Sequence, residues 1–354
     1  MKKIIILTFI FGLALVGCSS NQTAVEDIII TDALLREVAL PQFPEKIVIA
    51  GKQTPMLANF FYLFPSATGR ILAIENRSQS SDHFLELVDS EYENKLILNK
   101  GAGVEQIAPL APDLVVLKTS MKDVIGNQIE EVGIPVVYVS FESVDEIYND
   151  LQIIGNLLNE EETAEKVFRR YKNVVEDIRQ SIQQGPSEDD VLIIQAADDD
   201  QKFAFKVPPR NWLQTWMVND LKAAPVWTDA ASGEGWVEVN IEQIIAWEPK
   251  IVFVINYQGK SIEIVESLRQ NDVWQAFLDK NESQIFPFPY DFSSWDQPDP
   301  RWILGYSWMA YKLYPDQFEK DFIPNLTKDF YLDLYRLDES YIEDQIFAAL
   351  YPYL

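Results

Sequence analysis

The sequence predicts an α/β protein made of two lobes that are joined by one long helix. Short apolar runs rich in β-branched residues alternate with helix-compatible segments, one such unit occurs twice, and a single long amphipathic pattern lies between the two occurrences. Runs that are apolar throughout are typical of parallel strands buried on both faces. The chain has 354 residues, which is enough for two lobes of ordinary domain size.

The strand and helix patterns alternate in both halves of the chain. For the N-terminal lobe, expected over 41–140, strands are predicted at 46–50, 71–74, 114–117 and 136–139, and helices at 55–63, 104–110 and 123–132. For the C-terminal lobe and its helical tail, expected over 186–354, strands are predicted at 191–195, 251–255 and 284–288, and helices at 213–221, 241–247 and 261–278. This order favours a sheet covered by helices in each lobe.

One segment recurs in the two halves. Residues 104–117 read VEQIAPLAPDLVVL and residues 241–254 read IEQIIAWEPKIVFV, with five of fourteen positions identical at an offset of 137. Each copy starts with a helical turn that contains a glutamate, Glu105 or Glu242. A glutamate in a first turn also complements the helix dipole, so one copy alone would carry no functional meaning. Its recurrence predicts two lobes of related design with an equivalent carboxylate on each.

The connecting region, 141–185, contains the longest helical pattern, predicted over 160–184. Asn159 and Glu162 have the spacing of a capping box, and apolar residues then recur every three to four positions up to Gly185. At 1.5 Å per residue such a helix is roughly 37 Å long, enough to bridge two lobes. A long surface helix of one lobe is the alternative.

The N-terminus has the features of a bacterial lipoprotein signal. Lys2 and Lys3 precede a short apolar run, and Leu15-Val16-Gly17-Cys18 has the pattern of a lipobox. The interpretation is a signal peptide over 1–17, a lipid-modified Cys18 that anchors the protein to the membrane, and a tether over 18–40. An ordinary signal peptide is the alternative. Cys18 is the only cysteine, so an intramolecular disulfide is excluded.

Charge and histidine content exclude several functions. With 55 acidic and 29 basic residues, the net charge of −26 disfavours nucleic acid as a partner. The single histidine, His83, excludes sites that need two or three imidazole ligands. No GxSxG motif is present, which argues against a serine hydrolase, whereas a glycosidase-like carboxylate pair stays open. An enzyme is therefore not expected, and neither is a cofactor.

The whole arrangement resembles the substrate-binding lipoproteins of bacterial ABC importers. The resemblance rests on the lipobox, the two Glu-containing repeats, Gly133-Ile134-Pro135-Val136, and the SWDQPDPR stretch at 294–301 with Leu304-Gly305 and Leu313-Tyr314-Pro315 after it. It is closest to the helix-bridged type that captures iron-siderophores, haem or cobalamin, and in some members molybdate or tungstate. It implies a class III periplasmic-binding-protein fold and a monomer anchored outside the cytoplasmic membrane, with a permease dimer and its ATPase as partners.

The resemblance also implies roles for particular residues. Glu105 and Glu242 match the glutamates that engage the permease. Loops at the carboxyl ends of parallel strands should hold the ligand, and their candidate side chains are Arg77, Lys118, Arg210, Trp212, Trp295 and Arg301. Arg301 has a structural alternative, which is a local pair with Asp296 or Asp299. The expected ligand is an anionic iron chelate, with molybdate, tungstate or cobalamin as alternatives; a lipid-anchored adhesion protein or a hydrolase is the alternative class.

Overall fold

The structure is a computed structural model that describes residues 27–76, 83–182, 190–199, 202–233 and 235–354. Cys18 and Arg77, and therefore the predicted lipid anchor and one predicted ligand contact, lie outside these residues. Within them the chain forms two α/β lobes that are joined by helices, as the sequence predicts.

The first lobe is built on a five-stranded parallel sheet. The strands of this half of the chain are β1 (Ile28–Thr31), β2 (Glu37–Leu40), β3 (Ile47–Ile49), β4 (Ile71–Glu75), β5 (Leu96–Leu98), β6 (Leu114–Lys118) and β7 (Val136–Val139). The helices are α1 (Thr54–Phe61), α2 (Ala67–Arg70), α3 (His83–Val88), α4 (Val104–Ile107) and α5 (Asn127–Glu131). The sheet order is β5-β4-β3-β6-β7, so the direction of winding reverses between β3 and β6. A crevice for ligands forms at such a reversal.

The described part of the predicted tether is ordered as a hairpin. Strands β1 and β2 pair antiparallel, and Ile30 and Leu40 are buried against the first lobe. Arg36 binds Asp32 within the turn and Glu130 on α5. The alternating apolar residues give the hairpin one buried face, so the expectation of a tether up to residue 40 is corrected for residues 28–40.

Two helices connect the lobes, α6 (Val144–Leu158) and α7 (Glu161–Ser181). The longer one corresponds to the helix predicted over 160–184. Asn159 does not cap it: this residue ends α6 in the left-handed conformation, with φ 55°. Halfway along α7, the Tyr171 hydroxyl donates to the Pro300 carbonyl at 2.8 Å, which attaches the helix to the second lobe.

The second lobe has a mixed sheet with the order β11-β9-β8-β12-β13, and β10 pairs with β8. Its strands are β8 (Asp190–Asp199), β9 (Lys202–Val207), β10 (Ala224–Pro225), β11 (Val237–Val239), β12 (Ile251–Ile255) and β13 (Gln284–Pro287). Its helices are α8 (Leu213–Asp220), α9 (Ile241–Trp247), α10 (Ser261–Gln270), α11 (Asp272–Asn281), α12 (Trp302–Leu313), α13 (Phe322–Leu334), α14 (Glu339–Tyr341) and α15 (Ala348–Leu350). Strand β9 pairs antiparallel with β8 and lies between the strand predicted at 191–195 and the helix predicted at 213–221, where no element was predicted.

The C-terminal tail packs against both lobes. The Tyr335 hydroxyl donates to the Asn59 carbonyl of α1 at 3.0 Å, and the Arg336 guanidinium donates to the carbonyls of Tyr62 and Leu63. On the other side, the indole of Trp308 donates to the Tyr353 carbonyl. The tail thus joins the second lobe to the first at a place distant in sequence from the connecting helices.

Candidate functional site

A cavity of about 650 Å³ lies between the lobes. Residues of the first lobe and the loop after it form one wall, which comprises Lys52, Gln53, Met56, Lys100, Ser120 and Glu142. Residues of the second lobe form the opposite wall, which comprises Trp212, Leu213, Gln214, Trp236, Tyr257, Gln297 and Pro298. Gln53 and Ser120 follow β3 and β6, the two strands between which the winding reverses, so the sheet topology places the cavity here.

The first wall carries exposed cations. Lys52 follows β3 and Lys100 follows β5, and both side chains are solvent-exposed. The carboxylate of Glu142 lies on the same wall, but it is paired at 2.8 Å with the ammonium of Lys118, which is 2% exposed. The pair neutralises both groups. Within the described ranges neither Lys52 nor Lys100 forms an ion pair, so these two lysines set the positive character of this wall.

The second wall is aromatic. Trp212 and Trp236 pack edge to face with ring centroids 5.7 Å apart, and Trp236 continues to Tyr257 at 6.1 Å. Aromatic rings in this arrangement present flat apolar surface together with positive ring edges. The wall therefore suits a bulky planar group and not only a small hydrated ion.

A buried carboxylate, Asp296, orders part of the aromatic wall. Its Oδ2 accepts from the Gln214 amide at 2.9 Å and from the Tyr257 hydroxyl at 3.0 Å, and its Oδ1 accepts from the Ser294 hydroxyl at 2.5 Å. Burial raises the pKa of Asp296, and these hydrogen bonds oppose the rise. Asp296 thereby holds two side chains of the lining, those of Gln214 and Tyr257.

The predicted ligand residues lie in different environments. Trp212 is in the cavity lining. Lys118 is behind it, paired with Glu142. Arg210 is exposed and donates to the Thr228 carbonyl and to Asp229, away from the lining.

Trp295 and Arg301 require a correction, because both are fully buried and outside the lining. Arg301 pairs with Asp291 at 3.1 Å and with Asp299 at 2.8 Å, which is the local pairing given above as its alternative. The Trp295 indole donates to Asp291 at 3.0 Å. A cation with two buried carboxylates beside it has its counter-ions within the core and does not reach the cavity.

Sequence reasoning missed four lining residues in particular, Lys52, Lys100, Trp236 and Tyr257. The signal for Lys52 was available, since it directly follows a predicted strand. Lys100 follows the three-residue strand Leu96–Leu98, which is too short to stand out as a pattern.

The two repeat glutamates have equivalent positions in the topology. Glu105 lies in the first turn of α4 before β6, and Glu242 lies in the first turn of α9 before β12. Each helix starts at the edge of its sheet where the parallel strands end, which is the side of the cavity loops. Both side chains are exposed. The structure thus leaves two carboxylates accessible, one on each lobe.

Across the described residues, no cluster of three or more His, Cys, Asp or Glu side chains has the arrangement of a metal site. None of the helices in these residues combines the length and apolarity needed to cross a bilayer.

Comparisons with known proteins agree with this architecture. The chain is 24% identical over 350 residues to the molybdate-binding protein MolA of Haemophilus influenzae, covering 91% of this chain and 95% of that protein. It is 23% identical to the Fe(3+)-citrate-binding protein YfmC of Bacillus subtilis, covering 52% of this chain and 55% of the relative. A periplasmic solute binding protein from Veillonella parvula has the same fold, with a TM-score of 0.71 at 20% identity, covering 91% and 97% of the two chains.

The family profile described as "Periplasmic binding protein" matches residues 76–278, more than half of the chain. That match begins just after β4 and spans the rest of the first lobe, the connecting helices and the second lobe up to α11, so it includes both repeat glutamates and most of the cavity lining. The chain therefore belongs to the periplasmic binding protein family, whose members are the solute-binding components of ABC transporters.

Proposed function

We propose that this protein captures an anionic ferric chelate between its lobes and delivers it to an ABC permease. The observation that carries the proposal is the pairing of a lysine-bearing wall with an aromatic wall across a cavity of about 650 Å³. A chelate with carboxylate or catecholate oxygens on one side and flat organic groups on the other complements both walls.

The size of the cavity supports a chelate over a bare oxyanion. A tetrahedral oxyanion displaces only a few water molecules, each of about 30 Å³, and would leave most of this space filled with solvent. It would contact the lysine wall without reaching the tryptophans. MolA is named for molybdate and YfmC for ferric citrate, so both anions belong in the test.

A thermal-shift panel tests the ligand. It contains ferric citrate, a ferric catecholate, haem, cobalamin, molybdate and tungstate. A ligand at 100 times its dissociation constant stabilises the folded protein by about 2.7 kcal/mol, a readily measured shift. We expect shifts with anionic ferric chelates. A shift with cobalamin alone, or with molybdate and tungstate alone, would overturn the assignment.

The lysine wall is tested by Lys52→Ala/Lys100→Ala in titration calorimetry with the chelate that gives the largest shift. Loss of two positive charges should weaken binding at least tenfold, because charge-assisted hydrogen bonds to the ligand are removed. The matched control is Lys206→Ala, an exposed lysine paired with Glu238 outside the lining, which should leave the affinity unchanged.

For docking, we propose that Glu105 and Glu242 bind basic side chains of the permease dimer. Two exposed carboxylates at equivalent places on related lobes suit a two-fold symmetric partner. The variant Glu105→Arg/Glu242→Arg should abolish uptake in cells while ligand affinity in solution stays as in wild type. Normal uptake by this variant would refute the docking role.

For location, we propose that Cys18 carries the lipid that holds the protein at the outer face of the cytoplasmic membrane. The lipobox supports this anchor. Mass spectrometry of the mature N-terminus should find a diacylglyceryl group on Cys18, and Cys18→Ala should release the protein from the membrane fraction. An unmodified Cys18 in the mature protein would remove the anchor from the proposal.

A further inference from the structure

A single buried carboxylate, Glu75, lies between the two loops that carry the cavity lysines. Glu75 ends β4 and is 1% exposed. Its Oε2 accepts from the backbone N–H of Gly51 at 2.7 Å, and its Oε1 accepts from the backbone N–H of Gly101 at 2.7 Å. One side chain thus joins the loop after β3 to the loop after β5.

Both hydrogen bonds are made next to a lysine of the lining. Lys52 follows Gly51, and Lys100 precedes Gly101. The two glycines have φ values of +87° and +81°, which residues with a side chain rarely adopt, so both loops turn sharply where they meet the carboxylate.

The loop after β3 is held by a further bond to the same residue. The Thr54 hydroxyl donates to the Glu75 carbonyl at 2.6 Å, and Thr54 is itself buried. An ideal Cβ at Gly51 would lie 2.8 Å from the Met121 side chain, so the loop is also closely packed from the other side. The backbone that presents Lys52 therefore has little freedom to move.

We propose that Glu75 is the positioning residue that makes the first wall specific for anions, because it fixes the separation of Lys52 and Lys100. Its own charge is directed to backbone amides, where it forms charge-assisted hydrogen bonds. Lysine side chains are flexible, so an anion binds both at low entropic cost only if the backbones that carry them are fixed in advance. The inference depends on the proposed function only in that the cavity binds an anion.

The first test needs no ligand. Glu75→Gln keeps the shape of the side chain, but its amide oxygen can accept from one loop only, and its NH₂ group faces the donor of the other. Hydrogen exchange of the ligand-free protein should therefore become faster in peptides that contain Gly51 or Gly101. Unchanged exchange in both peptides would overturn the positioning role.

The second test separates positioning from general stabilisation by a double-mutant cycle. With ferric citrate as the probe, Glu75→Gln should weaken binding about tenfold in wild type and less than twofold when Lys52 and Lys100 are both methionine. An equal loss in both backgrounds would show that Glu75 acts only on stability. The control is Asp89→Asn, a buried carboxylate of the same lobe that binds Tyr62 and Lys95 outside the lining and should not change affinity.

A second probe distinguishes failure of the ligand assignment from failure of the positioning role of Glu75. If wild type binds molybdate and not ferric citrate, the chelate proposal is wrong and the cycle is measured with molybdate, where the same non-additivity is expected.

If Glu75→Gln does not fold, Thr54→Val loosens the same loop by removing one hydroxyl. It should weaken binding only while Lys52 is present, and a loss that is independent of Lys52 would overturn the inference.

Discussion

Arg301 shows how a residue with the chemistry of a ligand contact serves the core instead. Its guanidinium lies 3.9 Å from the centroid of the Phe84 ring, pairs with Asp291 and Asp299, and is not exposed to solvent. Asp299 also accepts from the Asn59 amide of the first lobe at 2.5 Å. This buried cluster contacts both lobes, and its two carboxylates have a buried counter-ion only while Arg301 is present.

Replacement of Arg301 by methionine should be strongly destabilising. The side-chain volume is roughly kept, but two buried carboxylates lose their counter-ion, which costs about 3–5 kcal/mol in the free energy of unfolding. Urea denaturation measures the loss. The control is Arg210→Met, which breaks only exposed contacts, with the Thr228 carbonyl and Asp229, and should change stability by less than about 1 kcal/mol. Similar losses in both variants would contradict this account.

The sequence supplied a set of candidate cations but did not show which cations face the cavity, and the two lysines of the lining were not in that set. Lys52 was identifiable because it comes just after a predicted strand, and Trp212 because it directly precedes a predicted helix. Whether an arginine faces the cavity depends on the acids that surround it after folding, and Asp291 lies ten residues from Arg301. Lys118 has its partner, Glu142, beyond the next strand. Folding brings the two members of these ion pairs together, so no local pattern in the sequence indicates them.

At the level of elements, α12 is packed against the loop that precedes it through Gly305. An ideal Cβ at this position would lie 2.2 Å from the backbone carbonyl oxygen of Trp295. Gly305→Ala should therefore force the helix and the loop apart and cost about 1–3 kcal/mol. It should also weaken ligand binding, because Gln297 of the displaced loop is in the lining.

The matched control is Gly69→Ala in α2, where no atom lies within 4 Å of the added methyl group. This change should be neutral or stabilise by up to about 1 kcal/mol, because alanine favours helix over glycine. Thermal unfolding of the two variants side by side checks both signs. If the Gly305→Ala protein is as stable as the Gly69→Ala protein, the loop moves aside without loss of stability and the prediction is wrong.

Asp150 of α6 gives the fold a pH dependence. Its Oδ2 accepts from the backbone N–H groups of Ser140 and Phe141, both at 2.7 Å, and so fixes the loop that leads to Glu142. Burial raises the pKa of Asp150 from 3.8 to about 7, against the opposing effect of these bonds and of Lys118. The folded protein therefore holds this proton more tightly than the unfolded chain.

The sign of the effect follows from that raised pKa. The contribution of Asp150 to stability is complete below pH 3.8 and is lost as the pH rises through about 7. Between pH 5 and pH 8 wild type should lose about 2–3 kcal/mol relative to Asp150→Asn, which has no proton to release. Urea unfolding of both proteins at several pH values measures the difference. Parallel stability curves would contradict the titration.

For the molecule as a whole, local patterns predicted the lobes, the repeat and the connecting helix. Parallel strands that are buried on both faces are apolar throughout, so they were visible as runs. The hairpin β1–β2 and strand β9 were not predicted, although each pairs with the strand next to it in sequence. Strands β1 and β2 are only four residues long, and β9 (KFAFKV) is interrupted by lysine, so neither region has the continuous apolar run of a strand buried on both faces. The tail was expected as a helical part of the second lobe, and its contacts with the first lobe through Arg336 were not predicted.

The contacts of Arg336 with the first lobe should limit how far the lobes move apart. The connecting helices and the tail hold the lobes at two separate places, so closure on a ligand should be a small rocking motion. Arg336 donates to the carbonyls of Tyr62 and Leu63 across the lobes. Arg336→Ala removes these bonds, so the ligand-free protein should open further and show a larger radius of gyration in small-angle X-ray scattering.

The wider opening should also weaken binding, because a smaller fraction of the free protein then has the closed arrangement. The control is Arg170→Ala, which removes a partly exposed pair between α7 and Asp333 of α13 and no contact with the first lobe. It should leave both the radius of gyration and the affinity as in wild type. If Arg336→Ala behaves like Arg170→Ala, the connecting helices alone set the separation of the lobes, and the tail only covers the second lobe.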